Sequence, residues 1–109
     1  MSSDATSPAL NPWRPISGAL DLKHLGKLCE QLNEAGSAVS RCIIQGVDEK
    51  EPVTGKVNRE WLEDELADVL ANIELVMAHF CLDQRRMAAR AARKKKLLGA
   101  WHAMLGPQS

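Results

Sequence analysis

Residues 58–81 read NREWLEDELADVLANIELVMAHFC. Leu62, Leu66, Val69, Leu70, Ile73, Val76, Met77 and Phe80 recur there at steps of three and four. That period marks one stripe of an amphipathic helix, and Asn58 is a suitable N-cap. The segment before it, from about Asp21 to Gln45, shows the same period. Its apolar positions are Leu22, Leu25, Leu28, Cys29, Leu32, Ala35, Val39, Cys42 and Ile43, with Gly46 placed to cap its end. Gly46 to Val57 contains Pro52, Gly55 and several charges and reads as a loop. On the other side, Asp83 can cap a third helix that ends near Leu105, before Gly106 and Pro107. Its stripe is Met87, Ala91, Leu98, Trp101 and Leu105. No strand-like alternation occurs anywhere, so the expected fold class is all-α, an antiparallel helical bundle. Three helices with broad apolar faces close poorly alone, and a second copy is expected to complete the bundle.

The chain has 109 residues and a mass of 12.0 kDa, enough for one domain. Residues 1–19 read as a flexible arm, because Pro8, Pro12 and Pro15 break any helix. Trp13 is the one bulky group in that arm, expected to dock on the core or to cover a ligand. Residues 20–106 form the helical domain. Fourteen Lys and Arg balance fourteen Asp and Glu, which argues against a polybasic nucleic-acid or membrane binder. Cys29, Cys42 and Cys81 are odd in number and form no C-x-x-C pair, so they are expected to be reduced thiols. There is no apolar run long enough to span a membrane and no signal-peptide pattern, which makes the cytoplasm the expected location.

Two acid clusters fall on the two long helices, in Lys27-Leu28-Cys29-Glu30-Gln31-Leu32-Asn33-Glu34 and in Trp61-Leu62-Glu63-Asp64-Glu65-Leu66-Ala67-Asp68. At about 100° per residue, Gln31 and Glu34 flank a stripe centred on Leu25, Leu32 and Val39, while Glu30 turns further toward solvent. Trp61, Glu65, Asp68 and Asn72 form a line beside the apolar stripe of the second helix. Glu63 and Glu74 lie on its other flank. Packing the two stripes together is expected to bring Glu34, Glu65 and Asp68 to one groove edge. Three carboxylates there repel one another, and a divalent cation relieves the repulsion. Oxygen ligands suit Mg²⁺ or Mn²⁺.

These segments resemble MazG-like proteins, members of the all-α nucleoside triphosphate pyrophosphohydrolases related to dimeric dUTPases and phosphoribosyl-ATP pyrophosphohydrolase. Residues 25–34 resemble the family's E-E-x-x-E segment in part, and residues 61–70 its E-x-x-D segment closely. The resemblance spans roughly residues 20–105. It implies a MazG-type bundle completed as a homodimer or a dimer of dimers. It also implies Mg²⁺-dependent cleavage of a (deoxy)nucleoside triphosphate to the monophosphate and pyrophosphate, of the kind that cleanses nucleotide pools. Carried over by position, the metal-holding acids fall on Gln31, Glu34, Glu65 and Asp68, with Glu30 adjacent. Glu34, Glu65 and Asp68 would serve as the catalytic set. Gln31 departs from the family Glu: its amide oxygen can ligate a metal but brings no charge. Lys27 and Asn72 are candidates to contact the substrate, as is Trp13 for the base.

From Arg85 to Lys96 the chain holds seven Lys and Arg. Lys94 falls within the apolar stripe of the third helix, with Arg90 one turn earlier, and both are expected to supply counter-charge to substrate phosphates. Two other functions fit the same residues. A family member weakened by Gln31 could act as a nucleotide-binding or regulatory module. A small dimer could instead bind nucleic acid through the basic helix, although zero net charge and the absence of helix-turn-helix spacing argue against it.

Overall fold

In the computed structural model, which describes residues 12–106, three helices follow one another: α1 (Ala19–Gln45), α2 (Asn58–His79) and α3 (Gln84–Met104). No strand is found among the described residues, and the fold is all-α as expected. Cys29, Cys42 and Cys81 are free thiols. No described helix is long and apolar enough to cross a membrane.

α1 and α2 form an antiparallel hairpin. Its register is fixed at both ends. The Cys42 Sγ lies 3.9 Å from the Asn58 carbonyl, and the His79 Nε2 lies 2.6 Å from the Asp21 Oδ1. Both pairs of residue numbers sum to 100, so residue n of α1 faces residue 100 − n of α2. The residues turned into this seam are His24, Leu28, Gln31, Ala35, Ala38 and Cys42 from α1. Leu62, Glu65, Val69, Asn72, Val76 and His79 meet them from α2. The steps alternate between three and four, which is the spacing of antiparallel bundle packing.

This seam corrects one expectation. Leu25, Leu32 and Val39, expected at the centre of the packed stripe, lie one residue away from it and are exposed, Leu32 at 52%. The intrachain contact mixes small and polar side chains with Leu28, Leu62, Val69 and Val76 instead. Ala38 is 1% exposed and Ala35 is 7%. Two alanines let the helix axes approach closely, at the cost of little apolar area.

The hairpin loop is tied down by polar contacts. Gly46 ends α1 at φ +110°, a conformation that favours glycine. Glu51 accepts the backbone N–H groups of Val53 and Thr54 at 2.9 and 2.7 Å and the Thr54 hydroxyl at 2.7 Å. These three donors hold its carboxyl below the usual value. Asn58 does not cap α2 through its side chain; the N-cap position falls on Val57. Asn58 is completely buried, and its amide donates at 3.0 Å both to the Gln45 Oε1 and to the Gly46 carbonyl. It thereby closes the end of α1 onto the start of α2.

α3 opens as expected, with the Asp83 carboxylate accepting the Arg86 backbone N–H at 3.0 Å. It then leads away from the hairpin and packs broadly on neither α1 nor α2. The chain measures 65 × 38 × 31 Å with a radius of gyration of 20.3 Å. A compact chain of this length would have a radius near 13 Å. The expected three-helix core is thus a two-helix hairpin and a projecting helix.

Replacing Asn58 with Ala removes two buried hydrogen bonds and leaves the Gly46 carbonyl without that donor. The hairpin should lose about 2 kcal/mol, read as a lower urea midpoint with unchanged helical signal at zero denaturant.

Candidate functional site

A step back of one residue from each seam position turns both helices toward the same side of the hairpin, because they run antiparallel. On α1 that step gives Lys27, Glu30, Glu34 and Arg41; on α2 it gives Trp61, Asp64 and Asp68. This side holds the predicted acids. Glu34 lies at hydrogen-bonding range of Glu65, and Asp68 adds its charge to the same carboxyl. Burial raises the Glu65 pKa above its ordinary 4.5, and the negative charges of Glu34 and Asp68 raise it further. Glu65 is half-buried in the seam, level with Ala35.

Lys27 is the cation of the cluster. Its ammonium bonds the Glu30 carboxylate at 3.0 Å, and Glu34 and Asp68 also stabilise its charge. Its pKa is raised first by the bond to Glu30. Glu30 is exposed and belongs to this ion pair. Gln31 points into the seam at 7% exposure, and its Oε1 is buried with no donor. The Glu65 Oε2 is likewise buried without a donor. A third buried oxygen without a donor, the Asn58 Oδ1, lies at the loop end of the hairpin; the Gln31 and Glu65 oxygens belong to residues aligned with the metal-holding motif.

Four expectations change at this site. Among the described residues, no group of three or more His, Cys, Asp or Glu is placed so that it could hold a metal ion. The three carboxylates therefore group as a close pair, Glu34 and Glu65, with Asp68 at electrostatic range. Asn72 donates at 2.8 Å to the Asp68 carbonyl of its own helix, so its amide is occupied. It still lines a shallow surface cavity of about 390 Å³ with Lys23, His24, Lys27 and Leu75. Arg90 and Lys94 do not approach the acids of their own chain, because α3 projects away from the hairpin. Trp13 is 79% exposed and docks on no core.

Beyond Lys56 and Arg59, loop-end cations expected to line the mouth of the site, two groupings of side chains escaped the sequence reading. Toward the loop end, the Arg41 guanidinium lies 5.0 Å and the Lys56 ammonium 4.5 Å from the Trp61 ring centre. Lys56 is anchored to Asp64 at 2.5 Å, while Arg59, the other loop-end cation, pairs with Asp48 at 2.7 Å. The Arg41 Nη1 and Trp61 Nε1 are buried without acceptors beside a cavity of about 350 Å³ that Gln45, Glu51 and Thr54 also line. At the opposite end His24 stacks on His79 with ring centres 4.1 Å apart, and Asp21 binds His79. The antiparallel pairing of α1 with α2 brings Arg41 beside Trp61 and His24 beside His79, which the separate sequence segments do not reveal; Lys56 reaches Trp61 locally from the loop.

The raised Glu65 pKa has a sign that can be tested. Between the ordinary value of 4.5 and the raised one, the native chain holds a proton that the unfolded chain has released. Stability therefore falls as pH rises through that window. In metal-free buffer at pH 7, Glu65→Gln should melt at a higher temperature than the parent, and the gain should vanish below pH 4.5. An equal or lower melting temperature at pH 7 would place Glu65 outside the repulsive cluster.

No protein-family model, curated protein or solved structure matches this chain.

Proposed function

We propose that this chain is a Mg²⁺-dependent nucleoside triphosphate pyrophosphohydrolase of MazG-like type, working as a homodimer or a dimer of dimers. The observation that carries this reading is the Glu34–Glu65 carboxylate pair with Asp68 and Lys27 beside it and two buried, donorless oxygens at Gln31 and Glu65. Repelling carboxylates at a helix seam are costly unless a cation joins them. Mg²⁺ needs no protein cage; it commonly takes one or two carboxylates and completes its octahedron with water and substrate phosphates. The Glu34–Glu65 pair would hold it, with Asp68 adding negative charge beside them, and the Gln31 oxygen can contribute without charge. When bound, the ion supplies counter-charge to the triphosphate and polarises the α-phosphorus.

The residues of the chain divide the remaining work. Glu65, reaching the site from the seam, would take the proton of a water that attacks the α-phosphorus. The bond to the β-phosphate then breaks and pyrophosphate leaves. Lys27 can release Glu30 and turn to a phosphate oxygen, since its ion pair is exposed and weak. Arg41 lies farther along the same face and offers a further cation toward the phosphate tail.

Glu65→Gln and Asp68→Asn should each lower Mg²⁺-dependent pyrophosphate release by more than about 100-fold while leaving the helical signal intact. Full activity in either variant would remove that residue from the site. A panel of canonical and modified nucleoside triphosphates then assigns the base.

Gln31 gives a second test. Gln31→Glu adds a charge to a buried position next to the carboxylate cluster. Without metal the variant should melt lower than the parent, and Mg²⁺ should raise its melting temperature more than it raises the parent's. Equal Mg²⁺-induced shifts would place Gln31 outside the metal site. Tight nucleotide binding without turnover in the parent, together with turnover in Gln31→Glu, would identify the parent as a binding module.

A further inference from the structure

A step forward of one residue from each seam position turns both hairpin helices to the side opposite the acids. α1 presents Leu22, Leu25, Leu32, Val39 and Ile43 there, all exposed, Ile43 at 79%. α2 presents Leu66, Leu70, Ile73 and Met77 on the same side. At the end of this face, where α2 leads into α3, Leu70, Ile73, Glu74, Met77, Ala78 and Gln84 line a groove of about 510 Å³. One chain thus leaves a continuous apolar face uncovered along the whole hairpin, larger than isolated surface leucines explain.

α3 has the complementary shape. Met87, Ala91, Lys94, Leu98 and Trp101 follow steps of four and three, the seam spacing of a helix that packs along another, and Trp101 is 53% exposed. Its 21 residues span about 32 Å at 1.5 Å per residue, and Leu22 to Ile43 on α1 span about the same. A lone amphipathic helix of this length depends on packing for its stability.

Charge decides the occupant. Gln84–Met104 holds seven Lys and Arg and no Asp or Glu. Ala19–His79 holds six Lys and Arg against twelve Asp and Glu, a net charge of −6. The chain's zero net charge therefore hides a basic helix and an acidic hairpin that barely touch in one copy. Glu63 and Glu74 border the apolar face, three residues before Leu66 and four after Leu70. A nucleic acid would match the cations but not the apolar seam between them. A second copy matches both.

We infer that α3 is exchanged: the α3 of each copy docks on the apolar face of the other copy's hairpin, its Leu98 and Trp101 in the groove and its cations against Glu63 and Glu74. The inference rests on the dimeric part of the proposed function and is independent of its chemistry.

Complementation of two full-length variants tests it. Leu98→Glu spoils α3 and leaves the hairpin face intact; Leu32→Glu spoils the hairpin face and leaves α3 intact. By light scattering at micromolar concentration the parent should be a dimer and each variant alone a monomer. An equimolar mixture should regain a dimer, because the α3 of the Leu32→Glu chain meets the hairpin of the Leu98→Glu chain. Serine replaces glutamate at both positions if circular dichroism shows lost helicity. A dimeric Leu98→Glu chain would overturn the exchange and leave a hairpin-to-hairpin dimer. A mixture that stays monomeric would also overturn it. A monomeric parent would overturn the exchange and the dimer together, and steeply salt-dependent binding of duplex DNA by that monomer would assign α3 to nucleic acid. Pyrophosphate release enters none of these outcomes.

Discussion

The structure depends on the seam between α1 and α2, where small and polar side chains occupy positions that a core would fill with leucine. Ala35 and Ala38 bring the helices close, and Gln31, Glu65 and Asn72 are held in or beside the contact by that approach. Such a seam supplies little hydrophobic stabilisation. It supplies position instead. Glu65 is held half out of water against Glu34, a strained arrangement that a more apolar seam would expel to the surface. Asn58 at one end and the Asp21–His79 pair at the other fix the register on which this alignment rests.

The same seam separates two faces of opposite character. The residue before each seam position is mostly charged, and the residue after it is mostly apolar. The hairpin therefore presents an acid-lined face on one side and a bare apolar face on the other. Its stability in isolation is limited, since only four apolar residues are buried among those described. Covering the apolar face adds the burial that the seam omits, without touching the acids. In the proposed dimer, assembly and chemistry would fall on opposite sides of one thin layer.

Much of this was legible in the sequence. The three helices, the Gly46 stop and the Asp83 cap follow from local period and capping chemistry. So does the meeting of Glu34 with Glu65. The packing face of α1 did not follow, and the reason is physical. Two seams of the same period run along α1, one residue apart, and the more apolar one, through Leu25, Leu32 and Val39, is the one left exposed. Hydrophobic period reports that a face will be covered; it does not report by what. The position of α3 was hidden for the same reason, since Arg90 and Lys94 lie on a stripe that meets nothing broad in its own chain. The Arg41–Trp61 contact and the stacked histidines were hidden because they arise only when α1 and α2 pair across the hairpin.

Gln31 gains a physical account from its burial. On the surface, a glutamate at this position would cost little. In the seam, beside Val69 and one turn from Glu34, it would place another carboxylate out of water next to a pair that already repels. A buried unpaired charge is far more costly than a buried amide. The neutral side chain keeps the metal-free hairpin tolerable and still offers an oxygen to a cation. In the proposed Mg²⁺ complex the cost would fall on the liganded state, where a neutral oxygen attracts the ion less than a carboxylate does. In a chain whose intrachain core is this thin, the metal-free state has little stability to spare. One fewer charge at the seam is the substitution that favours that state most directly.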